Sequence, residues 1–258
     1  YIPYWGDLIE ICTEPDSAMS IAAGEFENVK VVTITKDDDF SKKETQDLIR
    51  TYITERPGTS VHGSLPCTPW CARQSMNEAM LGPGFKKKLE KERRKSKAML
   101  KAFIGIAELA ISYGGSASFE WPNNSSGWLQ DELLKFIIRN DLFVVKPDGC
   151  ACGMKNSKDE PILKRWRFIC SKERMAASLG LLHCKHPPSF KHGEIQGSDT
   201  PKTAYYPMKL VRTYLSSLFG AHAGVYTNPV VPVSPAVHRP KDEHVPDFGI
   251  SFGEEAIG

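Results

Sequence analysis

Short runs rich in β-branched and apolar residues recur along this chain, and each is followed by a stretch whose apolar residues return every three or four positions. Asp7-Leu8-Ile9-Glu10-Ile11-Cys12 reads as a buried strand, and Asp16-Ser17 caps a helix over Ala18–Ala23 that stops at Gly24. Val29–Thr35 is a second strand, after which Ser41-Lys42-Lys43-Glu44 has the form of a capping box opening a helix with apolar Leu48, Ile49 and Ile53. Thr59–Gly63 is a third strand that runs into the turn-forming Ser64-Leu65-Pro66-Cys67-Thr68-Pro69. A long helix follows from Gly84 to about Ser112, basic at its start and apolar at its end. Ser116–Trp121, Leu142–Val145 and Arg165–Cys170 complete the strands. Between and after them lie helices over Asp131–Arg139, with Leu133, Leu134, Ile137 and Ile138 toward the core, and from Ser171 and Glu173 through Met175, Leu179 and Leu182, then Pro207–Phe219. Such alternation specifies an α/β fold with a mostly parallel sheet, helices on both faces and functional groups at the carboxyl ends of the strands.

At 258 residues, with 41% hydrophobic and 25% charged residues, the chain buries a substantial core, and disordered and fibrous classes are excluded. A net charge of +2 gives no global field, so any contact with nucleic acid rests on local patches. Seven Cys, an odd number, one of which (Cys184) stands beside His183, read as intracellular thiols or metal ligands rather than a secreted disulfide framework, and the expected location is intracellular, with the nucleus included. No apolar run approaches the length of a membrane span, so no membrane partner is expected. The first residue is Tyr1, and the chain reads as a piece of a longer product. One domain is expected over 1–222, with a zinc-stabilised segment at 148–200, followed by a Pro-rich arm or linker at 223–258.

Three strand ends carry chemistry. Pro66-Cys67 places a thiol on a tight loop after the third strand, where it can attack a bound electrophile; the same loop also suits a structural Cys in a Pro-shaped turn. Ser118-Phe119-Glu120-Trp121-Pro122 brings a carboxylate to a second end, and Arg165-Trp166-Arg167-Phe168 brings two guanidinium groups to a third. A thiol, a carboxyl and cations are the groups needed to attack a pyrimidine ring and hold its nitrogen edge and carbonyl.

In order and approximate spacing these segments resemble the Pro-Cys loop, the Glu-Asn-Val motif and the Gln-x-Arg-x-Arg motif of the C5-cytosine DNA methyltransferases, a Rossmann-like class I S-adenosylmethionine-dependent family. The resemblance implies that Cys67 adds to cytosine C6, Glu120 engages N3, and Arg165 or Arg167 steadies the base and the Cys67 loop. It further implies a cofactor site formed by Glu10, Cys12 and Thr13 on the first strand, the Asp39-Phe40 pair and Pro66, with Tyr206-Pro207 inside a closing motif over Gly197–Leu210. The chain departs from the family pattern at the first loop, where Thr13-Glu14-Pro15-Asp16-Ser17 replaces glycines, and in having little room for a target-recognition domain. It is also similar to methyltransferase-like domains of retroelement-type reading frames, which implies a second expectation: a catalytically silent module binding nucleic acid or other segments of a polyprotein.

Two further groups stand out. Cys150, Cys184, His186 and His192 supply the residue types of a tetrahedral zinc site, at a spacing unlike a standard finger; ordinary loop residues are the alternative. Lys86, Lys87, Lys88, Arg93 and Arg94 form a basic run that can neutralise phosphates, with DNA favoured over RNA, or else a solvated helix face. Trp70 and Trp121 are candidates to stack on a flipped base, or core aromatics.

Overall fold

Strand β1 (Gly6–Ile11) is buried at all six positions, because it has a strand on either side and helices cover both faces of its sheet. The computed structural model describes residues 6–195 and 203–220; the Pro-rich arm and part of the expected closing motif lie outside them. Five more strands complete one sheet: β2 (Val29–Ile34), β3 (Ser60–Gly63), β4 (Ala117–Pro122), β5 (Phe143–Val145) and β6 (Trp166–Cys170). Their order is β2-β1-β3-β4-β6-β5, with β6 antiparallel to both neighbours and the other pairings parallel. The fold is α/β with a six-stranded, mostly parallel sheet of Rossmann-like form, as the alternation of elements implies.

Residue parity along the strands separates two cores. Ile9, Ile11, Val61, Phe119, Trp121 and Ile169 face α2 (Lys43–Glu55), α3 (Arg73–Ser112) and α4 (Asp131–Arg139). Leu8, Trp166, Phe168 and Cys170 face α1 (Ala18–Ala23), α5 (Glu173–Gly180) and a last helix, α6 (Met208–Phe219). Glu10 lies level with His62, and His62 with Ser118, so three polar side chains share one row on the α6 side, where apolar residues would be the rule.

Several local expectations are corrected. The helix of the basic run starts where expected, just past Gly82, whose φ of 72° is followed by Pro83; the unexpected part is a further helical stretch before that break, from Arg73, which α3 includes. The capping box does not form: Lys42 is the N-cap and makes no side-chain cap bond, because Asp39, at φ 45°, takes both the amide and the hydroxyl of Ser41. Ser171 likewise leaves α5 uncapped and accepts the Ala117 amide across the sheet. On α4 the buried side chains are Leu133 and Phe136, whereas Leu134 and Ile138 point to solvent, 41% and 76% exposed, since the apolar set is wider than the face α3 covers.

Close approach of backbone sets the strongest steric demand. A Cβ added at Gly115 would lie 1.9 Å from the Thr59 carbonyl oxygen, whereas one at Gly84 meets nothing within 4 Å. Gly115→Ala is therefore expected to cost about 2–3 kcal/mol or more, and Gly84→Ala to be neutral or to stabilise by up to about 1 kcal/mol. Urea unfolding of the two variants tests this, and equal midpoints would contradict the packing described.

Candidate functional site

The strand order reverses between β1 and β3, and the crevice outside their carboxyl ends is where an open α/β sheet places ligands. Cys12 and Thr13 form one wall; Ser64, whose amide donates to the Ile11 carbonyl, begins the other and leads to Pro66 and Cys67. The half-buried Cys67 caps a 3-10 turn at Thr68–Trp70. Because β6 runs against its neighbours, its first residues sit at this same edge, beside the end of β4: Pro122 is level with Trp166 and Glu120 with Phe168.

Glu120 is 8% exposed and lies on the α6 side of the sheet, where the Tyr206 hydroxyl donates to its Oε2 at 2.8 Å. Tyr206 belongs to the segment that enters α6, and its ring packs against those of His62, Trp166 and Phe168. Behind it runs a line of short contacts: Tyr206 to Ser64 at 2.7 Å, Ser64 to His62 Nε2 at 3.2 Å, His62 Nδ1 to Ser118 at 2.8 Å, and Ser118 to Tyr214 at 2.6 Å. Each hydroxyl has one proton and a neutral imidazole has one N–H, so with Tyr206 donating to ionised Glu120 the rest of the line runs in one direction. Tyr214 donates to Ser118, Ser118 to His62 Nδ1, His62 Nε2–H to Ser64, Ser64 to Tyr206, and Tyr206 to Glu120. Neutral imidazole is the form the site favours, since burial pulls the His62 pKa down to about 3.

Burial raises the Glu120 carboxyl to about 7, with the Tyr206 hydrogen bond and the nearby Lys164 ammonium opposing the rise. It also raises the Cys67 thiol, the Glu120 charge adding to the effect and Lys164 opposing it. Lys164 is itself lowered by burial, with Glu120 and Cys67 pulling the other way, and its ammonium donates to the Thr203 carbonyl. Cys67, Glu120 and Lys164 therefore feel one another's charge across a single edge of the sheet. Near neutral pH the thiol is protonated and Glu120 is poised between acid and base.

The two arginines expected in this group turn elsewhere. Arg165 donates to Asp148 at 3.0 Å, and Arg167 donates to Asn123 with its guanidinium 5.0 Å above the Trp128 ring, on the opposite face of the sheet from Glu120. Lys164, one residue before them, is the cation that reaches Cys67 and Glu120. On the cofactor side, Glu10 is buried and accepts from Ser17, its carboxyl raised to about 7 by desolvation, and Thr13 is half-buried. Asp39 is held below the ordinary carboxylate range: the Ser41 hydrogen bonds and the Lys95 charge outweigh the opposing desolvation. Phe40 is packed in the core at 2% exposure, and Pro66 is exposed.

Trp70 is 5% exposed, its indole N–H donating to Ser96 at 2.8 Å and its ring covered by Arg93, which also donates to the Pro69 carbonyl and pairs with Glu78. Trp121 is 1% exposed and donates to the Leu65 carbonyl. Both indoles are core aromatics that hold the Cys67 loop in place, and neither offers a face to a base. Lys86, Lys87, Lys88 and Arg94 are exposed on α3, and Arg94 and Lys97 line a concave surface beside Trp70.

A second constellation lies at the same edge of the sheet, between the end of β5 and the start of β6, where Lys209 in the first turn of α6 donates to the Ala151 carbonyl. Single donor atoms from Cys150, Cys184, His186 and His192 all fall within 4.8 Å of one another. Cys150 lies in a 3-10 turn, Gly149–Cys152, that ends on left-handed Gly153; Cys184, His186 and His192 follow α5. Asp148, 5% exposed, accepts the Cys184 amide on one oxygen and Arg165 on the other.

No protein-family model and no curated protein sequence matches the chain.

The buried acid makes stability depend on pH in a stated direction. A carboxyl raised from 4.5 to about 7 holds its proton in the folded state longer than in the unfolded one. Its contribution is therefore complete below the unfolded value and is lost as pH rises through 7. His62, lowered from 6.5 to about 3, acts oppositely, destabilising the fold as pH falls through that interval. Glu120→Gln removes the first effect alone. Relative to the parent chain it should gain about 2.5 kcal/mol between pH 5 and pH 8 in urea unfolding; an unchanged difference between the two pH values would show that Glu120 is not a buried acid of raised pKa.

Proposed function

We propose that the chain is an S-adenosylmethionine-dependent methyltransferase that acts on cytosine in nucleic acid, DNA in preference to RNA, through a covalent bond to Cys67. The observation that carries this reading is the grouping of a half-exposed thiol, a carboxyl raised to about 7 and a partly desolvated ammonium at one sheet edge. The sheet order supports it, since one reversed strand placed second from the edge is the arrangement of the class I methyltransferase sheet, here without a strand beyond β2. Fold alone assigns no chemistry, so the weight rests on the site.

The residues at the crevice fit the cofactor on two points. Cys12, at φ 62°, takes the left-handed turn at which glycine ordinarily lets a ligand approach the backbone, and Asp39 presents a carboxylate held ionised by Ser41 and Lys95. Bound S-adenosylmethionine supplies the methyl group that leaves its sulfur for the base. Glu120, as the acid, donates its proton toward cytosine N3 while the Cys67 sulfur forms a bond to C6. The C5–C6 double bond opens, its electrons make C5 nucleophilic, and the thiol proton passes to solvent. After C5 is methylated it gives up its own proton to solvent, the bond from Cys67 to C6 breaks as the ring double bond returns, N3 hands its proton back to Glu120, and the departing thiolate takes a proton from solvent. Lys164 steadies negative charge on Cys67 and Glu120 through these changes, and the Tyr206 line fixes the carboxyl in place.

A second reading, a catalytically silent module that binds nucleic acid or protein, is favoured by one specific observation. Arg165 and Arg167 are both committed to protein partners. Calorimetry with S-adenosylmethionine and S-adenosylhomocysteine separates the two. The enzyme binds in the micromolar range, and Cys67→Ser keeps that affinity while losing methyl transfer to cytosine-containing oligonucleotides. A folded chain that binds neither compound is the silent module, and full activity in Cys67→Ser excludes the covalent route.

The exposed cations of α3 give an independent test of the partner. Replacing Lys86, Lys87, Lys88 and Arg94 by Ala should reduce the slope of log affinity against log salt for duplex DNA by about 3 to 4, measured by fluorescence anisotropy. An unchanged slope would place the nucleic acid elsewhere.

A further inference from the structure

We infer that Cys150, Cys184, His186 and His192 hold one structural zinc ion, which fastens the loops after β5 and after α5 to the start of β6. Four donor atoms from four residues lie within 4.8 Å of one another. Cys184 Sγ is 3.3 Å from His186 Nδ1 and 3.4 Å from His192 Nε2. Zinc with bonds of about 2.3 Å to sulfur and about 2.0 Å to nitrogen sets tetrahedral neighbours about 3.5 Å apart, so these separations need little adjustment. Two thiolates and two imidazoles give a neutral, closed, four-coordinate site with no position left for a substrate, which makes the role structural rather than catalytic.

The surroundings match such a role. Left-handed Gly153 ends the turn that carries Cys150, and the His186 ring stacks on Phe190 with centroids 4.1 Å apart, limiting its rotation. Asp148 is the link to the sheet: its carboxylate receives the Cys184 amide at 2.8 Å and Arg165 at 3.0 Å, and its own amide donates to Leu182. The next amide, from Gly149, donates to the carbonyl of Lys164. Residues that follow α5 and residues that precede β6 are thus tied within a few bonds of the ligands, in a region with little regular secondary structure to hold it. A metal there supplies the order that a helix or strand would otherwise provide.

The test is metal content, which is read without any assay of methyl transfer. The chain reconstituted with zinc and desalted should retain about one equivalent, and cobalt in its place should give the intense visible absorption of a tetrahedral thiolate site. Cys184→Ser and, as a milder change, His192→Ala should each weaken binding roughly tenfold or more, while Cys71→Ser, which lies outside the cluster, keeps it. Chelation should lower the melting temperature of the parent chain and leave that of Cys184→Ser unchanged. Retention of less than about a tenth of an equivalent, a weak octahedral cobalt spectrum, or undiminished binding in both ligand variants would overturn the assignment.

Discussion

The hydrogen bond from Tyr206 to Glu120 joins the two halves of this molecule's chemistry. Glu120 sits inside the sheet on a strand whose neighbours are apolar, and a carboxyl so placed persists only where its desolvation is offset. Tyr206 supplies that offset, and does so as the end of a line that passes through Ser64, His62 and Ser118 to Tyr214. Five polar side chains from β3, its following loop, β4 and the α6 segment are therefore satisfied together. A change at one member reverses or strands the donors of the rest, because each has a single proton to give.

That arrangement shapes the electrostatics of the edge. Burial favours the neutral forms of Cys67, Glu120 and Lys164, while their mutual charge opposes it for Lys164 and, between Cys67 and Glu120, reinforces it. A resting site of this kind keeps its thiol protonated. A substrate that takes the Glu120 proton interaction and excludes water would change the balance on which the thiol depends, which couples occupancy of the site to reactivity of the sulfur.

Much of the architecture is readable from residue order alone, for a physical reason. A sheet covered on both sides turns strands into continuous apolar runs and helices into periodic ones, and these two signatures differ over even short windows. The Cys/His group was also readable by residue type, and the fold brings those four residues together. What periodicity does not encode is partnership at a distance. Arg165 and Arg167 carry the right charge in the right place, yet Asp148 and Asn123 claim them, while Lys164 takes the inward position. Ser41 is lost to Asp39 instead of capping α2, and Trp70 is sealed beneath Arg93. In each case the deciding contact lies outside the short pattern that suggested the role. His62 gave one signal that was available in advance: a polar residue at an inward strand position must have partners waiting.

The reversal of β6 also sets an order of assembly. Strands β2, β1, β3 and β4 are neighbours in one parallel block, complete once the ribosome has passed Pro122. Strand β5 is made next but among the described residues pairs only with β6, so it has no edge to join until Trp166–Cys170 has been synthesised and inserted between it and β4. For that interval the open edge of β4 and the apolar side of Phe143–Val145 wait unpaired, the condition under which nascent chains attract chaperones or one another. Glu120 waits longer still, since Tyr206 emerges after every strand of the sheet. In the growing chain the thiol of Cys67 comes first, and the acid that follows it stays without its hydrogen-bond donor for 86 further residues.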